Sequence, residues 1–255
     1  MDVVRSASAE DGSVPVDRVR TLLRNCGCFR PFRRAELLIM EGAPSDEVLL
    51  IEAGKVKVVL RGANGADSIL GFYGAGELMG EMGVMGGRSR SADVVARTDG
   101  VAVHVEAERF RTLLRDHPLV SKHVAEVLCK RLFQADQRQR LHASSEASVR
   151  VAMQLLSWAQ SSGEPVEGGG VRVKGLTQLE IAQFVTASVK TVDHVLRQLR
   201  SDKLLETGRR SYVLPDPPLL RRCLADPNWR PGRGDIARFS LTQNNFARPA
   251  AASVH

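Results

Sequence analysis

The sequence predicts an α+β chain: a roll of short β-strands towards the N-terminus, one long helix, and a small C-terminal helical domain closed by a β-hairpin. Three observations predict it. Short apolar runs between Phe29 and Val105 are punctuated by glycines, helical spacing takes over from Glu108, and two short capped helices followed by a hairpin lie beyond Gly175.

At 255 residues the chain is long enough for two domains that each bury a core. With 43% hydrophobic and 25% charged residues it belongs with globular proteins rather than fibres or disordered chains. The N-terminal MDVVRSASAEDGS has no apolar core of a signal peptide, and no window reaches the roughly 18 apolar residues of a spanning helix, so a cytoplasmic location is expected. Cys26, Cys28, Cys129 and Cys223 form no CxxC pair, which points to reduced thiols.

The net charge of +7 is unevenly spread. Before Pro118 there are 16 Lys and Arg against 17 Asp and Glu; from 118 to 143 there are 5 against 2, and from 144 to 225 there are 11 against 8. A neutral N-terminal part joined to a basic C-terminal part suits a chain whose second half meets a polyanion.

Taken in order, residues 1–18 read as a flexible N-terminus, although Val19, Leu22 and Leu23 sit at helical spacing within Val16 to Cys26. Residues 19–117 read as the roll. Val56, Val58 and Leu60 alternate with Lys55, Lys57 and Val59 as in a half-buried strand, and Gly42, Gly54, Gly65 and Gly76 fall 12, 11 and 11 residues apart as corners needing positive φ. Residues 118–143 form the long helix, with Val120, Val124, Val127, Leu128, Leu132 and Ala135 as one stripe after Pro118; about 25 residues span roughly 37 Å, a length suited to pairing with a second copy.

Residues 144–225 read as the third part. A helix from about Glu146 to Gln160 places Val149, Ala152, Met153, Leu156 and Ala159 on one face, and SSGEPVEGGG reads as a turn-rich break. Thr177 with Glu180 makes a capping box ahead of Ile181, Ala182 and Val185, and Gln178 opens that helix. Ser188 caps the next, whose Val192, Val195, Leu196 and Leu199 face inward while Val189, Lys190, Asp193, His194 and Arg197 face outward, with Thr191 in the first turn. LLETGRRSYVL follows as a hairpin with Gly208 at its turn and Arg209 and Arg210 beside it. This layout is a winged helix-turn-helix, whose second helix fits a DNA major groove while basic side chains hold phosphates. Residues 226–255 read as a flexible tail.

The segment GELMGEMGVMGGRSRSADVVA carries chemistry that apolar burial does not require. Gly80 allows close backbone approach, Glu81 offers an acceptor for a hydroxyl, the helix start at Glu81 and Met82 offers N–H groups, and Arg90 with Ser91 suits a phosphate. A buried Arg in an apolar roll itself calls for an anionic partner.

Gly80-Glu81 followed by Arg90-Ser91-Ala92 resembles the phosphate-binding cassette of cyclic-nucleotide-binding domains, and MEGAPSDEVLLIEAGKVKVVL is similar to the first strands of that roll. With the long helix and the winged helix-turn-helix, the chain resembles the cAMP receptor protein (Crp/Fnr) family of transcription regulators from about Val19 to Leu224. The resemblance implies a homodimer joined along its long helices, cAMP or cGMP as ligand rather than a catalytic cofactor, a pseudo-palindromic DNA target, RNA polymerase as a further partner, and no enzymatic activity or metal site. It also places Ala135 and Asp136 where family members meet the base, so that Asp136 would accept from the adenine amino group or take the paired donors of guanine. Thr186 stands where the family's turn glycine is expected, and Val189, Lys190 and His194 replace its base-reading set. Two alternatives remain open: a nucleotide-independent regulator of the same family, and an iron–sulfur redox sensor, whose ligand spacing Cys26, Cys28 and Cys129 do not match.

Overall fold

Glycines with left-handed backbone turn the corners of the roll. In the computed structural model, which describes residues 16–62, 66–233 and 236–240, Gly42, Gly54 and Gly76 have φ of 80°, 93° and 88°; Gly65 lies outside the described residues. The chain divides into two units, at Asp136/Gln137 within the long helix.

The first unit begins with α1 (Val16–Cys26), whose Val19 and Leu23 are buried as the helical spacing predicts. Eight strands follow: β1 (Cys28–Phe32), β2 (Leu37–Ile39), β3 (Glu47–Ala53), β4 (Val56–Leu60), β5 (Ser68–Tyr73), β6 (Leu78–Met79), β7 (Asp93–Ala96) and β8 (Gly100–Glu106), with the short α2 (Glu81–Gly86) between β6 and β7. They form two antiparallel four-stranded sheets, ordered β1-β8-β3-β6 and β2-β7-β4-β5. One apolar cluster joins Val48, Leu50, Val103 and Val105 to α1, to Phe110 of α3 (Ala107–Asp116), and to Val120 and Val124 of α4 (Pro118–Ser144). A second lies around Leu49, Ile51, Val56, Met79 and Val94. Burying a single large side chain such as Phe110 contributes about 1.5–3 kcal/mol.

The alternation expected in β4 holds for only half its length. Val56 and Val59 are buried whereas Leu60 is exposed, because the β4–β5 register shifts between Val58 and Val59 and a bulge turns the later side chains over. The break before the long helix is at His117, whose extended backbone precedes Pro118. Val120 and Val124 of the expected stripe are buried, but Leu132 and the neighbouring Phe133 are each 64% exposed.

The second unit is built around α5 (Ala147–Ser162), which packs on α6 (Gln178–Val185), α7 (Val189–Ser201), α8 (Pro217–Ala225) and the strand β10 (Val171–Lys174). Enclosed on several sides, α5 buries Val151, Leu155 and Trp158 as well as Ala152, Leu156 and Ala159, so its buried surface is broader than the single face read from the sequence, and Val149 and Met153 lie at its margin. The glycine-rich break contains β9 (Glu164–Pro165), which pairs with β10; with β11 (Glu206–Gly208) and β12 (Ser211–Leu214) they form a sheet ordered β11-β12-β10-β9. The two-residue loop of the last hairpin is Arg209-Arg210, with Arg210 at φ 52°; Gly208 is the final residue of β11 rather than the turn itself.

The expected flexible tail is also revised in its described part. Trp229 is 3% exposed, Arg230 pairs with Glu146 at 3.1 Å, and the Gly232 N–H donates to Asp202 at 2.6 Å, before the short α9 (Ala237–Ser240). Residues 1–15 and 241–255 lie outside the described residues.

Candidate functional site

The first constellation gathers where β6 ends. Gly80 takes left-handed backbone, φ 85°, to start α2. A Cβ there would clash with Arg90 Nη1 and lie 3.1 Å from Ile39 Cδ1, so glycine is required by both conformation and space. Arg90 is 6% exposed: Nη1 donates to the Gly80 carbonyl at 3.0 Å, Nη2 to the Glu47 carbonyl at 2.7 Å, and the Asp46 carboxylate lies 3.5 Å away. Its main chain is pinned as well, through hydrogen bonds with Gly42 and Ala43. Burial pushes the Arg90 guanidinium below its ordinary value, and the charges of Asp46, Glu47 and Glu81 push it back. Two carbonyls and the Asp46 carboxylate thus partner the buried Arg90 guanidinium from within the roll.

Glu81 is 1% exposed and forms an ion pair with Arg131 of α4, which also donates to the Leu78 carbonyl and stacks 5.0 Å from the Tyr73 ring centroid. Glu81 Oε2 and Arg131 Nε are buried without a hydrogen-bond partner. A carboxylate oxygen in that condition lacks a donor it can accept from, and a ligand hydroxyl is such a donor.

The structure thus brings Gly80, Glu81 and Arg90 together. Met82, Ser91, Ala135 and Asp136 are exposed, the last two about one turn beyond Arg131 on α4. Sequence reasoning missed Arg131, although a signal existed. It falls seven residues after buried Val124, where a cation on an otherwise apolar face calls for a buried partner.

The second constellation lies in the other unit. The Thr177 hydroxyl accepts from the Glu180 N–H at 3.1 Å while the Glu180 carboxylate accepts from the Thr177 N–H at 3.0 Å, completing the capping box. Such a cap stabilises by about 1 kcal/mol. The Ser188 hydroxyl accepts from the Thr191 N–H at 3.0 Å and lies 2.8 Å from the Thr191 hydroxyl. Buried Val192, Val195, Leu196 and Leu199 then rotate Val189, Lys190, His194 and Arg197 to the surface. Arg197 pairs with Asp193 at 2.8 Å. Arg209 and Arg210 are exposed at the hairpin tip, where the Arg210 carbonyl accepts from the Gly175 N–H at 2.8 Å; Gln178 is half-buried at the start of α6.

A short helix pair followed by a basic-tipped hairpin, in one chain with a β-roll bearing this cassette, defines the class of transcription regulators that join a cyclic nucleotide-binding fold to a helix-turn-helix. The chain matches the cyclic nucleotide-binding domain over residues 29–117 and the Crp-like helix-turn-helix domain over residues 149–223. It is 31% identical over 192 residues, 75% of its own length and 85% of the relative's, to a CRP-like cAMP-activated global transcriptional regulator of Mycobacterium tuberculosis. Over 178 residues, 69% of this chain and 84% of the relative, it is 26% identical to the cAMP-activated global transcriptional regulator CRP of Salmonella typhimurium. The fold is shared with the c-di-GMP-responsive regulator CLP of Xanthomonas campestris, with a TM-score of 0.72 over 78% of this chain and 99% of that one at 20% identity. The chain belongs to the Crp/Fnr family of transcription regulators. Among the described residues, no group of three His, Cys, Asp or Glu side chains is arranged to hold a metal ion, and no helix is long and apolar enough to cross a membrane.

Proposed function

We propose that the chain is a cytoplasmic, homodimeric regulator that binds cAMP or cGMP in the roll and a pseudo-palindromic DNA duplex through α7, with RNA polymerase as a further partner. The observation that supports the nucleotide assignment is the orphaned Glu81 Oε2, one residue from Gly80. Glu81 would accept from the ribose 2′-hydroxyl, while Arg90 and Ser91 would hold the cyclic phosphate. Ala135 and Asp136 would meet the base.

Dimerisation is supported by Leu132 and Phe133, two large apolar side chains left exposed on the C-terminal half of a 27-residue helix. A two-fold dimer presents two copies of α7 to half-sites one DNA turn, roughly 34 Å, apart. Thr177, Gln178, Ser188 and Thr191 would contact backbone phosphates near the helix starts. Val189, Lys190 and His194 would face base edges, and Arg197, Arg209 and Arg210 would add phosphate contacts.

A second reading, a nucleotide-independent regulator, is favoured by one observation: both terminal nitrogens of Arg90 are already engaged by carbonyls. Calorimetric titration with cAMP and, separately, cGMP decides between them. Binding of either nucleotide, lost in Arg90→Ala while the protein stays folded, is the expected result. Silence with both nucleotides in a folded dimer assigns the second reading.

A further inference from the structure

Thr186, the C-cap of α6, sits at φ 51° and ψ 62°, a left-handed conformation that a β-branched residue adopts rarely and glycine adopts freely. The connection to α7 depends on it, because only Ala187 and Ser188 separate Thr186 from the first residue of α7. The guanidinium of Arg150, from the first turn of α5, reaches this corner. Its Nε donates to the Val185 carbonyl at 3.1 Å and its Nη2 to the Thr186 carbonyl at 3.2 Å, while Nη1 donates to the Ser145 carbonyl at 2.7 Å, just ahead of α5.

The last carbonyls of a helix lack intrahelical donors and carry its partial negative charge, so a planar cation with several N–H groups satisfies them and fixes their direction. We infer that Arg150 is a positioning residue for DNA reading. It holds the Thr186 corner left-handed by hydrogen bonds, the role glycine fills by lacking a side chain, and thereby sets the angle at which α7 presents Val189, Lys190 and His194. Three of its five N–H donors, one on each nitrogen, are given to carbonyls, so on this assignment Arg150 acts through the turn rather than through a phosphate.

This inference rests on the DNA-binding reading above, and the test separates the two. The full-length protein, with cAMP and cGMP both present, first enriches a duplex from a random pool, and that duplex is the probe. Arg150→Met, which keeps the aliphatic stem, should weaken its binding about tenfold, Thr186→Gly should change it less than about threefold, and the double variant should return to within about threefold of the starting protein. The slope of log affinity against log salt should stay the same in all four proteins.

A loss in Arg150→Met that Thr186→Gly does not repair overturns the assignment, as does a slope reduced by about one, the mark of a lost phosphate contact. If circular dichroism shows that Arg150→Met fails to fold, the same cycle with Arg150→Lys, which reaches one carbonyl at a time, decides by the same rescue. A starting protein that enriches no duplex refutes the DNA-binding reading, and this assignment falls with it.

Discussion

The Glu81 carboxylate, at the start of α2, is buried against the Arg131 guanidinium of α4, fifty residues further along the chain. Each partner keeps one buried polar atom without a hydrogen bond. Removing one member of such a pair leaves a charge stranded in an apolar surround, whereas removing both does not. Arg131→Met should therefore destabilise the roll by about 3 kcal/mol, and Glu81→Gln with Arg131→Met should recover most of that loss. Thermal melts of both single variants and of the double measure it; a loss in the double equal to the sum of the two single losses would show that the pair is not coupled.

Asp136 is exposed about one turn beyond Arg131. Two carboxylate oxygens match the two adjacent N–H donors on the Watson–Crick edge of guanine, while adenine offers one amino group. cGMP should bind more tightly than cAMP, and Asp136→Ser should reduce that preference about tenfold. The ratio of the two calorimetric affinities reports it, and a ratio untouched by the substitution would place Asp136 away from the base.

Lys190 and Arg197 stand exposed on α7, with Arg197 held towards Asp193. Replacing both with Ala should weaken DNA binding at least tenfold and, with Arg197 on phosphate and Lys190 at a base edge, lower the salt slope by about one. Gel shifts at several salt concentrations measure both quantities. An unchanged slope together with a large loss would assign the pair to base edges instead.

Burial pushes the His123 imidazole below its ordinary 6.5; Arg20 pushes the same way, while Glu126 and Glu77 oppose them. His123 is thus kept neutral in the fold but takes a proton readily once unfolded. Its contribution to stability is complete above 6.5 and is lost as the pH falls through the lower folded value. His142 is shifted in the same direction, by burial first and then by Arg150 and Arg138. Melting temperatures between about pH 7.5 and pH 5 should fall on acidification, and His123→Gln should flatten part of that fall. A profile of the same steepness in the variant would assign the fall to other groups.

Features decided by neighbouring residues were the ones legible in the sequence. Thr177 and Ser188 signal helix starts because each hydroxyl serves an N–H only three residues on, and both bonds are present. Glycine at 42, 54 and 76 marks corners because left-handed backbone is a property of single residues. What depends on distant partners was read less well. Arg131 meets Glu81 across 50 positions, and the bulge in β4 is imposed by its pairing with β5. The strand β10 is only four residues long, with Val171 and Val173 alternating with Arg172 and Lys174, too short a run for its period to stand out in the sequence. At the site, the cassette was legible as a motif, while the carbonyls that occupy Arg90 come from backbone geometry that no motif encodes.

Trp229 fills a space that the helix-turn-helix match, ending at residue 223, does not include. Shortening the gene to the shared family segment would delete that indole, the Arg230 partner of Glu146 and the Gly232 bond to the end of α7 in a single cut. The apolar lining uncovered in this way would face water and favour clumping during expression. Reporter fusions, affinity handles and chimeras with relatives from the same family should therefore be joined beyond Ser240, where the described part of this extension ends.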